Sequence, residues 1–142
     1  MDKLIRPKIQ EKPIEAFTEK EQKMIEHAVL MDKRERMKGI IICLYTGLRI
    51  GELLALEWDD IDFIKAELKV TKTCHDGKNK NGKFCRITES PKTLNSRRTI
   101  ALPKQILPFL QEMKGKSTSS LVISSGKTLL VRSYCEIISE KF

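Results

Sequence analysis

Arg49 and Glu52 stand three residues apart in the run Thr46-Gly47-Leu48-Arg49-Ile50-Gly51-Glu52-Leu53-Leu54-Ala55-Leu56. Ile40 to Tyr45, just before it, is almost wholly apolar, and Ile50, Leu53, Leu54 and Leu56 recur inside it at roughly helical spacing. A lone arginine thus sits at a glycine-broken joint between two helices that read as buried. A cation is costly there unless an anion meets it. Glu52, one helical turn on, is placed to hold the guanidinium. Part of the planar fork is then left for a ligand, and the fork matches a phosphate in shape. The plainer alternative is a structural ion pair and nothing more.

A second cation, Lys92, lies in Ser90-Pro91-Lys92-Thr93-Leu94-Asn95-Ser96-Arg97-Arg98-Thr99-Ile100. Taken alone it is one solvated turn lysine among the 11 Lys and Arg of residues 65–104. Only Glu67, Asp76 and Glu89 oppose those 11, whereas the rest of the chain balances 16 basic against 16 acidic residues. The whole formal charge of +8 therefore falls within one 40-residue segment. A merely solvated surface mixes its signs; this strip reads as one that faces a polyanion.

The elements that must position these groups can be read in order. Residues 1–12 are polar, carry Pro7, precede Pro13, and read as a linker or arm, with one domain from 13 to 142. Thr18 and Glu21 form a T-x-x-E capping box opening a helix over about 19–31, with Met24, Ile25, Ala28 and Val29 on one face. A second helix spans Arg34 to Tyr45, Gly47 turns the chain, and a short third helix carries Glu52 and the leucines. Ala66 to Thr71 alternates with period two and reads as a strand; residues 75–82 form a turn or loop. Phe84 to Thr88 and Arg97 to Leu102 follow as further strands, with a turn over 91–96, completing a small antiparallel meander. Pro103 can sit in the first turn of a helix to Lys114, in which Pro108 fits only if it falls within the first turn, and Gly115 stops it. Leu121 to Ile123 reads as a short buried segment, and Val131 to Phe142 as the start of another helix. The expected class is α+β, mainly helical with a small three-stranded antiparallel sheet.

Two clusters invite a metal. Asp59, Asp60 and Asp62 lack the D-x-[DN]-x-[DN]-G pattern of a calcium loop and read as a turn, with Trp58 filling the core. Cys74, His75 and Cys85 offer three donors, none at zinc-finger spacing; the cysteines read as semi-buried small residues on paired strands. No metal and no cofactor is expected. With 142 residues, 40% hydrophobic and 32% charged, the chain can bury one core. No apolar run approaches the roughly 20 residues of a membrane span, and the N-terminus lacks a signal-peptide core. Four cysteines without a C-x-x-C pair are expected to be reduced, in the cytoplasm.

The string T-G-L-R-I-G-E-L-L-A-L-E-W-D-D-I-D resembles the first catalytic-arginine box of the tyrosine recombinases, the phage and transposon integrases. The stretch from Ser90 to Ile100 resembles the hairpin carrying that family's catalytic lysine. The resemblance runs from about Pro13 to the end and implies the first part of an integrase catalytic domain. It implies that one DNA strand is cut by a tyrosine hydroxyl, leaving a 3′-phosphotyrosyl link and a 5′-hydroxyl, with neither metal nor ATP. In that scheme Arg49 binds the transition-state phosphate, Lys92 protonates the departing 5′-oxygen, and Glu52 orients Arg49. Lys69, Lys72, Arg86, Thr93, Arg97 and Arg98, with Thr99, become contacts to DNA; the last three suit backbone phosphates better than bases. The implied partners are double-stranded DNA and further copies of the full-length chain on it; neither a membrane nor a small-molecule substrate is implied.

The family's later motifs, a His-x-x-Arg box and the nucleophilic tyrosine, have no match here. Tyr45 reads as a core residue and Tyr134 precedes the place of the His-x-x-Arg box, so neither is assigned as nucleophile. The expectation is a catalytic domain that stops early and is inactive alone. The alternative is a non-catalytic DNA-binding module that keeps only the basic strip.

Overall fold

The computed structural model describes residues 16–34, 37–78, 80–90 and 97–124. The expected arm (1–12), the turn over 91–96, and the helix from Val131 lie outside them. Helix α1 spans Glu19–Leu30 and opens with the capping box: Thr18 N–H donates to Glu21 Oε2 at 2.8 Å, and Glu21 N–H donates to Thr18 Oγ1 at 3.4 Å. Its Ile25 and Val29 face the core, four residues apart on one stripe. Helix α2 spans Lys38–Thr46 and so begins later than the apolar pattern suggests. Ahead of it the Asp32 carboxylate takes both the backbone N–H and the guanidinium of Arg34, and Met37 N–H bonds Arg34 O at 3.0 Å.

Gly47 ends α2 in the left-handed region, φ 65° and ψ 22°, with its N–H on Cys43 O at 2.8 Å. Helix α3 spans Ile50–Ala55 and buries Glu52, Leu53, Leu54 and Ala55. A single 3₁₀ turn over Trp58–Asp60 follows, with Trp58 5% exposed. The aspartates serve as turn caps: Asp60 accepts from Glu57 N–H at 3.0 Å, and Asp62 from the N–H groups of Ile64 and Lys65.

Two sheets follow rather than one meander. Strands β1 (Ile61–Asp62), β2 (Glu67–Val70) and β5 (Arg98–Ala101) form an antiparallel sheet in the order β1-β2-β5. Among the described residues, strands β3 (Thr73–Lys78) and β4 (Phe84–Glu89) pair only with each other. The stretch 84–88 therefore does not pair with 66–71, and the first half of the predicted loop, residues 75–78, is strand, with a turn at 80–82. The expected strand from Phe84 is present as β4, but the polar sequence of β3 hid its partner, because a ladder needs backbone pairing, not apolar side chains. Cys74 pairs with Thr88 and Cys85 with Gly77, so the two cysteines are not opposed.

Helix α4 spans Leu107–Lys116, with Pro108 in its first turn, where no N–H partner is lost. It runs through Gly115 and stops at Ser117, which is extended. Residues 120–122 then close back on the middle of the chain: Trp58 N–H bonds Ser120 O at 2.9 Å and Val122 N–H bonds Leu56 O at 3.0 Å. One core gathers Ile25, Ile42, Leu53, Leu54, Leu68, Leu110 and Ile123, each burial contributing roughly 1.5–3 kcal/mol. Among the described residues no helix is long and apolar enough to cross a membrane.

Candidate functional site

Gly47 and Gly51 set the frame of the arginine box. Thr46 Oγ1 donates back to Ile42 O at 2.6 Å and accepts from Leu48 N–H at 3.4 Å, tying the end of α2 to the start of the turn. A Cβ at Gly51 would lie 2.6 Å from the carbonyl oxygen of Cys74, so only glycine lets α3 sit against β3 this closely.

Arg49 is the last residue before α3, in extended conformation, and its side chain is 80% exposed. Its backbone N–H donates to Glu52 Oε2 at 2.8 Å. This is half a capping box; an arginine side chain has no acceptor with which to return the bond. The guanidinium is only loosely engaged, with Nη1 3.7 Å from Glu52 Oε1.

Glu52 is 6% exposed, and its close partner is not Arg49 but Arg98. Arg98 Nη1 meets Oε1 at 2.7 Å and Nη2 meets Oε2 at 2.8 Å, a two-pronged charge-assisted pair. The Arg98 hydrogen bond holds the Glu52 carboxyl below its usual pKa; burial pushes the other way, and the Arg49 N–H adds to the lowering. Arg98 is in turn raised, first by the same bond. Glu52 thus holds the Arg49 backbone closely and its guanidinium loosely, and is itself held by Arg98.

The register explains why. On β2 and β5 Val70 faces Arg98 and Lys69 faces Thr99. Val70 is buried and Lys69 and Thr99 are exposed, so Arg98 shares the inward face. Period two puts neighbours on opposite faces, a signal already present in the Arg97-Arg98-Thr99 string. Of the other expected DNA contacts, Lys69 and Arg97 are exposed, whereas Lys72 Nζ is paired with Glu57 Oε2 at 2.7 Å. Arg86 lies on β4, its side chain not described; Lys92, Thr93 and Tyr134 lie outside the described residues. Tyr45 is half-buried against the core, and its hydroxyl is raised in pKa by a hydrogen bond with Glu26, the opposite of activation.

The phage integrase family model matches residues 10–136. A tyrosine recombinase XerC-like protein of Caldanaerobacter subterraneus subsp. tengcongensis is 41% identical over 112 residues, 75% of this chain and 28% of that protein. The ICEBs1 integrase of Bacillus subtilis is 41% identical over 73 residues, 51% of this chain and 18% of its own. The chain thus spans less than a third of either relative. A structure of the Tn1549 transposon integrase in complex with circular intermediate DNA superposes with a TM-score of 0.66 at 19% identity, over 88% of this chain and 46% of that one. With this fold and these matches, the chain belongs to the phage integrase family, the tyrosine recombinases.

Proposed function

We propose that this chain supplies Arg49 and Lys92 to the strand-cutting site of a recombinase acting on the double-stranded DNA of a mobile element. The observation that carries this reading is the state of Arg49: its backbone is pinned by a buried carboxylate while its guanidinium stands 80% exposed. A structural ion pair would close the fork on its partner; here Arg98 has taken that place. An outward planar fork on a rigid stem suits two oxygens of a phosphate.

In the proposed step a tyrosine hydroxyl attacks the scissile phosphorus, a 3′-phosphotyrosyl bond forms, and the 5′-oxygen leaves. Arg49 neutralises charge gathering on the non-bridging oxygens, and Lys92 delivers the proton to the leaving oxygen. The phosphodiester energy is kept in the new link, so no nucleotide hydrolysis is needed. Exposed Lys69 and Arg97 steer and hold the duplex without reading sequence. The transposon and circular-intermediate DNA in the Tn1549 integrase complexes support a DNA partner for this fold.

The test uses this chain fused to the part of the Bacillus subtilis ICEBs1 integrase that follows the matched stretch. Arg49→Lys keeps the charge but loses the two-pronged fit. Single-turnover cleavage of a nicked suicide substrate should fall by roughly 10²–10³, the usual loss for one preorganised donor, with little change in DNA affinity. A variant that melts lower yet cleaves normally per folded molecule would overturn the proposal.

A further inference from the structure

Two arginines compete for one carboxylate, and the distances rank them. Glu52 accepts from both Nη atoms of Arg98 at 2.7 and 2.8 Å, while Arg49 Nη1 waits at 3.7 Å. Among the described residues Glu52 is the buried charged side chain. If Arg98 were removed, Glu52 would keep its burial and lose both charge-assisted bonds. A buried carboxylate left with the Arg49 backbone N–H but without its close cation is strongly unfavourable. Among the described residues the nearest remaining cation is the Arg49 guanidinium, which needs to move only about 1 Å to reach hydrogen-bond distance. Closing onto Glu52 would occupy the same fork that a phosphate requires, and would cancel its charge.

We propose that Arg98 is a positioning residue for the strand-cutting site: by saturating Glu52 it keeps the Arg49 guanidinium turned outward and available to phosphate. The proposal rests on the reading of Arg49 given above. Arg98 reaches α3 from β5, 46 residues further along the chain, so the pair also ties the arginine box to the central sheet.

The experiment follows rotation about the Arg49 Cζ–Nε bond by nitrogen-15 NMR of the chain without DNA, where catalysis plays no part. In the wild type the rotation should be fast, as for a solvated guanidinium. In Arg98→Met it should slow roughly tenfold or more, because a charge-assisted pair must break at each turn. In Glu52→Gln/Arg98→Met, where no charged carboxylate remains to capture it, the rotation should be fast again. Arg98→Lys, which holds Glu52 with one prong, should fall between and carries the test should Arg98→Met fail to fold. Unchanged rotation in either single variant overturns the proposal, as does slow rotation in the wild type. A merely structural Arg98 would lower the melting temperature and leave the rotation untouched. Adding a short DNA duplex at low salt separates the two readings. The Arg49 Nε–Hε signal should shift in the wild type and the double variant but much less in Arg98→Met. If the Lys69 and Arg97 signals shift and that of wild-type Arg49 does not, the phosphate role of Arg49 fails, while the DNA-free rotation still decides that of Arg98.

Discussion

At the scale of single residues, Glu52 has a pH signature whose sign can be worked out. Its folded pKa lies below the ordinary carboxylate value, chiefly through the Arg98 hydrogen bond. Between the folded and unfolded values the unfolded chain binds more protons, so the stabilisation is present above the unfolded pKa and is lost as pH falls through the folded one. Urea midpoints measured from about pH 5 down to pH 3 should therefore fall more steeply for the wild type than for Glu52→Gln. Parallel curves would refute the assignment. Cys43 behaves oppositely: burial first, then the Glu52 charge, pushes its thiol up to about 11. At pH 8 iodoacetamide should alkylate Cys43 roughly 10²-fold more slowly in the folded chain than in urea, as peptide mapping would show. The sequence made the Arg49–Glu52 neighbourhood legible because their spacing is local. Arg98 was not legible as a partner, because a contact across 46 residues leaves no periodicity along the chain.

At the scale of elements, two glycines predict opposite outcomes. Gly51→Ala places a methyl 2.6 Å from the Cys74 carbonyl oxygen and 2.8 Å from Thr73 Oγ1, and the first is backbone that cannot rotate away. The variant should lose about 1–3 kcal/mol, seen as a lower denaturant midpoint at an unchanged slope. Gly115 sits inside α4, and a methyl added there would meet nothing within 4 Å, so Gly115→Ala should gain about 0.5–1 kcal/mol. A stabilised Gly51→Ala would refute the close approach of α3 to β3. Helices α1 and α3 were readable because capping chemistry and apolar spacing are local signals. The β3–β4 hairpin was not, because nothing in its polar residues says which strand lies opposite.

At the scale of the molecule, the basic strip sorts into committed and available cations. Lys72 and Arg98 are engaged by Glu57 and Glu52, whereas Lys69 and Arg97 face solvent. Duplex affinity should be weak, nearly sequence-independent, and should fall by orders of magnitude between about 50 and 200 mM salt. Lys69→Ala or Arg97→Ala should each reduce the slope of log affinity against log salt by about one, and Lys72→Ala by less. Salt-insensitive binding, or equal effects at all three positions, would count against this sorting. The 142-residue polypeptide by itself should trap no covalent adduct on a nicked substrate. An adduct that vanished with Tyr134→Phe would make that tyrosine the nucleophile.

The closure of Ser120 and Val122 onto Trp58 and Leu56 sets an order in time as the chain is made. Synthesis proceeds at about 5–20 residues per second, and some sixty residues separate the two partners, so the backbone beside Trp58 waits roughly 3–12 s for its mate. During that interval it offers unpaired N–H and C=O groups to any passing strand. The local helices can be in place long before, since they form in microseconds. Trp58, the single tryptophan, is built into this late-closing seam, so its fluorescence in a stalled ribosomal complex would time the seam's closure.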